Sequence, residues 1–163
     1  MGNRRQFLVV LASAAGLVPV IGWLTQPSAA ISGTFPIMHS EEEWRRTLSA
    51  AQFRVLRRQA TERPFTSPLN QEHRDGIFKC AGCAHELFAS NTKFESGTGW
   101  PSFWQPLEHA VGTSIDRSWL MVRTAVHCAE CGGHLGHVFE DGPQPTGLRY
   151  CINGVALTFE AKL

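Results

Sequence analysis

Apolar residues recur at helical spacing between residues 40 and 60, and they alternate at strand spacing from residue 76 onward. In the first region Ser40 is followed three residues later by Glu43, ahead of Trp44 and Leu48. Ser49 and Gln52 repeat the arrangement ahead of Phe53, Val55 and Leu56. A hydroxyl at the cap and a carboxylate or amide at the third helical position satisfy each other's backbone amides, so this spacing predicts two short helices. Glu41, Glu42 and Glu43 then occupy a first turn, where negative charge suits the helix dipole, and the triplet reads as a solvated helix start rather than a binding site. Arg63-Pro64 ends the second helix or follows its end.

In the second region Ile77-Phe78-Lys79 is a short strand, and the stretch from Trp119 to His127 alternates. Leu120, Val122, Thr124 and Val126 are expected on one side of that strand, with Trp119, Met121, Arg123 and Ala125 on the other. Arg149-Tyr150-Cys151-Ile152-Asn153 reads as a further strand, with Arg149, Cys151 and Asn153 on one face and Tyr150 and Ile152 on the other. Glycines at 132, 133, 136, 142 and 147 break the remainder into short strands and turns. The expected architecture is a mainly β domain behind two short helices.

Residues 1–30 read differently. Asn3-Arg4-Arg5-Gln6-Phe7-Leu8 opens an apolar run to Leu24, and Ser28-Ala29-Ala30 offers small residues for cleavage. That is the pattern of a twin-arginine export signal, so a periplasmic destination is expected, with 31–38 as a linker and 39–163 as the functional domain. The alternative is an uncleaved leader that anchors the domain on the periplasmic side of a membrane. Gly16 and Pro19 interrupt the run, whose length is marginal for a span.

The 163 residues suit one domain plus this leader, and 43% hydrophobic with 18% charged residues is ordinary for a folded protein. Without Arg4 and Arg5 the chain has 13 Lys and Arg against 14 Asp and Glu, a formal charge of −1. No basic face for nucleic acid is expected. A membrane is expected as a partner only through an uncleaved leader, and the domain is expected to act as a monomer.

The cysteines carry the chemistry. Cys80 and Cys83 form one C-x-x-C pair, Cys128 and Cys131 a second, and Cys151 stands alone. Four thiolates in two such knuckles fit one tetrahedral Zn²⁺ with no open coordination position, a structural site. A dithiol redox pair or two structural disulfides are the alternatives. With 44 residues between Cys83 and Cys128, the spacing is too wide for a compact zinc ribbon. The metal is therefore expected to staple two strand ends of a larger β domain.

Cys151 is left outside that set. A nucleophilic cysteine needs thiolate character, which a neighbouring cation promotes, and Arg149, His134 and His137 are the candidates. Asn153 is placed to orient a histidine or to hydrogen-bond a substrate oxygen. The alternative for Cys151 is a buried apolar filler.

The chain closely resembles the B-type methionine sulfoxide reductases, which act on the R epimer at sulfur. The resemblance rests on four motifs in order: Cys-Ala-Gly-Cys at 80–83, Glu95-Ser96-Gly97-Thr98-Gly99-Trp100-Pro101-Ser102-Phe103, the run from Cys128 through Cys131, His134 and His137 to Pro143, and Arg149 to Asn153. It covers roughly residues 40–160 and implies a fold of two antiparallel sheets, a zinc-stapled β-tent with short N-terminal helices. By this resemblance Cys151 is the nucleophile, and Cys80, Cys83, Cys128 and Cys131 hold a structural zinc. His137, with His134 nearby, would bind and protonate the sulfoxide oxygen, and Asn153 and Arg149 would complete the polar side of the pocket. Trp100 would form the wall for the substrate methyl group, with Phe139 a second candidate for that surface.

The implied substrate is methionine-R-sulfoxide, free or within proteins, and the implied reductant is an external thiol such as a thioredoxin-like donor. Many members have a second cysteine where this chain has Thr98. With no other spare cysteine, the sulfenic acid formed at Cys151 is expected to be reduced by that external thiol directly. The competing classes are a zinc-ribbon-like binding module without catalysis, which leaves Cys151, His137 and Asn153 unexplained, and a dithiol oxidoreductase using one C-x-x-C pair.

Overall fold

The computed structural model describes residues 33–162, apart from the side chain of Trp119. The expected leader and the start of the linker lie outside the described residues. Within them, no helix is long and apolar enough to cross a membrane.

Both expected capping boxes are formed. Helix α1 (Glu41–Thr47) is capped by Ser40 with Glu43, and α2 (Ala50–Arg58) by Ser49 with Gln52. A hydroxyl cap of this kind stabilises a helix by about 1 kcal/mol, which matters for elements only two turns long. Helix α2 closes at Gln59 in the left-handed conformation, so Arg63-Pro64 follows the helix rather than ending it. Trp44, Phe53, Val55 and Leu56 are buried and fasten both helices to the β core.

Among the described residues, nine strands make two antiparallel sheets: β1 (Gly76–Cys80), β2 (Glu86–Ala89), β3 (Lys93–Phe94), β4 (Ser102–Phe103), β5 (Val111–Asp116), β6 (Arg123–Cys128), β7 (His134–Phe139), β8 (Arg149–Ile152) and β9 (Leu157–Ala161). The smaller sheet runs β2-β1-β9 and the larger β3-β4-β8-β7-β6-β5. Phe78 from the first and Phe103 from the second meet edge to face at 5.0 Å, and Phe103 stacks on Phe88 at 4.3 Å. Together with Leu87, Val126, Leu135 and Ile152, all fully buried, they form the core between the sheets. The two-sheet, mainly β architecture expected above is the one observed.

The expected strand from Trp119 to His127 is shorter than its alternation suggests. It begins at Arg123, and residues 118–120 form a turn of 3-10 helix. Leu120, Met121 and Val122 are exposed rather than alternating between faces. Asp116 pairs with Arg123 in the β5–β6 register, and their side chains form an ion pair at 2.7 Å. That contact closes the hairpin before the apolar run can join it.

The segment preceding α1 is docked. The Ile37 amide donates to the Glu130 carbonyl at 2.9 Å, and the Phe35 ring packs edge-on against His127 at 5.6 Å.

Candidate functional site

Strand β1 ends at Cys80 and β6 at Cys128, so the two knuckles hang from the ends of strands in different sheets. The four sulfurs of Cys80, Cys83, Cys128 and Cys131 all lie within 4.8 Å of one another. Cys80 and Cys131 are 3.8 Å apart, and Cys83 and Cys128 are 3.6 Å apart. Four ligands at about 2.3 Å around a tetrahedral Zn²⁺ would sit ~3.8 Å from each other, so the donor set fits such an ion in size and chemistry. The Gly82 amide points at the Cys80 sulfur from 3.4 Å. Both of these close pairs cross from one knuckle to the other, and none of the five cysteines is in a disulfide.

Cys151 sits apart, in the middle of the larger sheet. On the face of that sheet turned from the core, neighbouring strands place Ser102, Cys151, His137 and Ala125 in one row. On the opposite face Phe103, Ile152 and Val126 enter the core. Directly paired residues hold their Cβ atoms about 5 Å apart, so Cys151 and His137 are side-by-side neighbours. Gly136 makes this approach possible, since a Cβ there would lie 2.1 Å from the Cys151 carbonyl oxygen.

His134 reaches the same face through an irregularity. Val126 pairs with Gly136 but His127 pairs with His134, so Leu135 is an extra residue in β7. Such a bulge reverses the alternation and re-aims the side chains beyond it. It brings the His134 ring to 5.4 Å from His137, edge to face. The bulged Leu135 carbonyl needs partners, and Asn153 supplies two: its backbone N–H and its side-chain Nδ2, both at 2.9 Å. The Asn153 Oδ1 accepts from the Glu62 amide at 2.9 Å. The side chain of Asn153 is therefore engaged with backbone and acts on the histidines by fixing the bulge.

His137 is held from its far side. Its Nε2 lies 2.8 Å from Asp116 Oδ2, and Asp116 also accepts from Arg123 and from the Ser118 amide. Although desolvation opposes ionisation, hydrogen bonds from Ser118, His137 and Arg123 hold the Asp116 carboxyl well below its ordinary range. Burial pushes the His137 pKa down against the pull of Asp116. His134, 1% exposed, is pushed down to about 4, chiefly by burial and then by the neighbouring His137. Neither ring nitrogen of His134 has a hydrogen-bond partner among the described residues. Both imidazoles are thus neutral near pH 7.

The Cys151 thiol is half-buried, and desolvation raises its pKa while Thr98 and Arg149 work in the other direction. Thr98 Oγ1 lies 3.8 Å from the sulfur and belongs to a hydroxyl chain, 2.8 Å from Ser96, which is in turn 2.7 Å from Ser102. Arg149 makes a two-pronged bond to Asp141 at 2.9 Å on each prong and lies over the Phe139 ring at 4.5 Å. Phe139 thereby supports the guanidinium. Trp100 lies two residues before β4 and follows Gly99, which adopts a φ of +93° and where a Cβ would strike Pro64 and Phe65 at 2.8 Å. The Trp100 indole N–H donates to the Glu62 carbonyl at 3.2 Å.

The register sets Cys151 beside His137, with Thr98 at its sulfur and His134 against His137, whereas the bonds of Asn153 and Trp100 run to backbone carbonyls and that of Arg149 to Asp141. Asp116, Arg123, the Ser96–Ser102 pair and Glu62 join them without having been singled out from the sequence. Only the hairpin register could have found Asp116, whose bonded histidine lies 21 positions away.

A SelR domain family profile matches residues 48–161. Among similar curated proteins, the "Peptide methionine sulfoxide reductase MsrB" of Bradyrhizobium diazoefficiens is 58% identical over 127 residues, covering 77% of this chain and 91% of the relative. Proteins of the same name from Methanosarcina barkeri and Agrobacterium fabrum are 53% and 52% identical, covering 76% and 74% of this chain and 87% and 90% of their own. The chain belongs to the SelR family, the B-type methionine sulfoxide reductases.

Proposed function

We propose that this protein reduces methionine-R-sulfoxide to methionine at Cys151, with an external thiol as the source of electrons. The observation that carries the reading is the register that sets the one cysteine outside the metal cluster beside His137, with Thr98 against its sulfur. In the resting site Cys151 is a thiol and His137 a neutral imidazole whose Nε2–H is donated to the Asp116 carboxylate. That assignment leaves Nδ1 as the basic nitrogen. As the cysteine sulfur attacks the sulfoxide sulfur, its proton passes through His137 to the sulfoxide oxygen, and Asp116 stabilises the transient imidazolium. The hydroxyl then shifts from the substrate sulfur to the Cys151 sulfur as the transient S–S bond and the original S–O bond break, so methionine leaves and Cys151 is left as a sulfenic acid. One external thiol converts this to a mixed disulfide with loss of water, and a second releases Cys151 as a thiol. Thr98 offers no sulfur to intervene, so this is a one-cysteine cycle.

Trp100, its indole pinned at Nε1, supplies the wall for the methyl group opposite the histidine pair that takes the oxygen, which selects the R epimer. The four-cysteine cluster takes Zn²⁺, which supplies structural cross-linking between the sheets and no open coordination position for chemistry. Residues 1–30 direct export by the twin-arginine route, which carries folded and metal-loaded protein, and the domain works as a monomer in the periplasm. A single-turnover assay with separated R and S sulfoxides tests the central claim. One methionine formed per Cys151 from the R epimer and none from the S is expected; equal yields from both, or none from either, would refute it.

A further inference from the structure

Glu62 lies in neither a helix nor a strand, yet all of its hydrogen-bonding groups are engaged. Its backbone N–H donates to Asn153 Oδ1 at 2.9 Å, and its carbonyl accepts from the Trp100 indole at 3.2 Å. Its carboxyl group accepts from the backbone amides of Gly154 and Val155, the latter at 3.0 Å. Those amides open the turn Gly154–Ala156, which receives no cap from the Asn153 side chain before it. The carboxyl group of Glu62 takes that place from a distant part of the sequence.

The neighbouring contacts run to the same two places. A Cβ at Gly154 would lie 1.9 Å from Ser67 Oγ, so the turn fits against this segment without room for a side chain. The Phe65 amide and Asn70 Nδ2 both donate to the Gly99 carbonyl, at 2.7 and 3.0 Å. The segment from Glu62 to Asn70 therefore bridges residues 99–100 on one side and 153–155 on the other. At Glu62 a single residue is bonded to both. Its main chain meets two side chains there, and only its own carboxyl group fixes it to backbone on the Asn153 side. A loop residue has no ladder bonds to hold it, so that anchor decides where its N–H and C=O stand.

We propose that Glu62 is a positioning residue for the sulfoxide reduction. Its carboxyl group, seated on the Gly154 and Val155 amides, sets the spacing between the Trp100 indole and the Asn153 side chain that fixes the histidine bulge. The proposal rests on the reductase reading above and adds to it a residue that acts only through others. Reacting groups displaced by about 1 Å lose on the order of a hundredfold in rate. A carboxyl group offers an acceptor to each of the two amides, whereas a carboxamide keeps one acceptor and turns an NH₂ toward the other.

The test follows single turnover of methionine-R-sulfoxide over a range of concentrations in the metal-loaded parent, Glu62→Gln, Glu62→Ala and Ser49→Ala. Thermal transitions and indole N–H resonances are recorded on the same samples, with Trp100→Phe identifying the Trp100 signal. Glu62→Ala is expected to lower the saturating rate by about a hundredfold and to shift the Trp100 signal, with little change in the half-saturating concentration. Glu62→Gln should shift the signal less and lose roughly tenfold. Ser49→Ala removes the cap of α2 and no bond to Trp100 or Asn153, so it should lower the transition and leave rate and signal alone. An unchanged rate and Trp100 signal in folded Glu62→Gln overturns the proposal, even where Glu62→Ala fails to fold. A loss confined to the half-saturating concentration overturns it too, as does an equal rate loss in Ser49→Ala, which would trace the effect to stability alone. If the parent itself forms no methionine, the reductase reading fails and the role of Glu62 falls with it; parent turnover with unaffected variants removes Glu62 only.

Discussion

The molecule holds cysteine in two settings that differ in every neighbour. At the knuckles four sulfurs lie within 4.8 Å of one another, mostly buried, with a backbone amide and, among the described residues, no cationic side chain bonded to them. In the large sheet one sulfur stands among a threonine hydroxyl, an imidazole braced by a carboxylate, and the side of a guanidinium. The first setting suits a cation and leaves nothing free to react. In the second a proton and two electrons can be exchanged. The side chain is the same in both, so its surroundings decide whether it builds the fold or performs chemistry.

The sharpest break in this comparison comes from removing one sulfur at each site. Cys131→Ser, or exhaustive chelation, is expected to unfold the domain, because metal binding of about 10–16 kcal/mol in such sites is largely folding energy. Metal content and the thermal transition should be lost together. Cys151→Ser should leave both in place and abolish single-turnover methionine formation. A chelated protein that keeps its transition would remove the structural role from the cluster.

Next in size is the brace on the imidazole. His137→Ala is expected to slow single turnover by roughly 10²–10⁴-fold, and Asp116→Asn by less. The pH profile separates these roles. Relay requires a neutral His137 and a protonated thiol, so activity should fall on the acid side as His137 protonates and on the alkaline side as Cys151 ionises. Asp116 raises the His137 pKa, and burial raises that of Cys151. Asp116→Asn should therefore move the acid limb to lower pH and leave the alkaline limb where it was. An acid limb that stays fixed would detach Asp116 from the proton transfer.

These residues also show what could be read without coordinates. Ser40 with Glu43 and Ser49 with Gln52 are local devices three residues long, so the helices were legible in full. Two C-x-x-C pairs are likewise a local signal, and the face shared by Arg149 and Cys151 follows from simple alternation. Alternation misled between Trp119 and Val122, where an ion pair 7 residues wide closes the hairpin and expels an apolar run. It also hides the histidine pair. Strict period two would put His134 and His137 on opposite faces, and only the extra Leu135 unites them. That bulge depends on Asn153, 18 residues away, and the His137 brace depends on a hairpin register. Such contacts follow from strand pairing, which the sequence pattern alone did not assign.

The buried histidine gives a smaller effect that reads on stability. His134 has a pKa of about 4 in the folded chain against 6.5 unfolded. Between these values the unfolded chain binds the extra proton, so stability is full above pH 6.5 and falls as the pH drops toward 4. A shift of this size corresponds to about 3 kcal/mol. His134→Gln should flatten that part of the stability–pH curve in urea unfolding. Loss from Asp116 and the other lowered carboxyls should remain, at more acid pH. An unchanged slope between pH 6.5 and 4 would place the acid sensitivity elsewhere.

The smallest change tests how close the two cysteine settings are to converging. Thr98 Oγ1 is 3.8 Å from the Cys151 sulfur, in a loop positioned by Ser96 and by the contacts of Gly99 with Phe65. Thr98→Cys replaces a hydroxyl by a thiol of similar size at a half-buried position, so the fold and the methionine-forming step should alter little. The fate of the oxidised product should change. In the parent chain, one turnover without reductant leaves a sulfenic acid that a dimedone-type reagent captures as an adduct of defined mass. In Thr98→Cys the second thiol is placed to attack that sulfur and expel water, so the adduct should vanish and an internal disulfide, two mass units below the dithiol, should replace it. If the parent chain instead forms a disulfide between Cys151 and a knuckle cysteine, the two settings exchange electrons during turnover, and the separation between fold-building and reactive sulfur is lost.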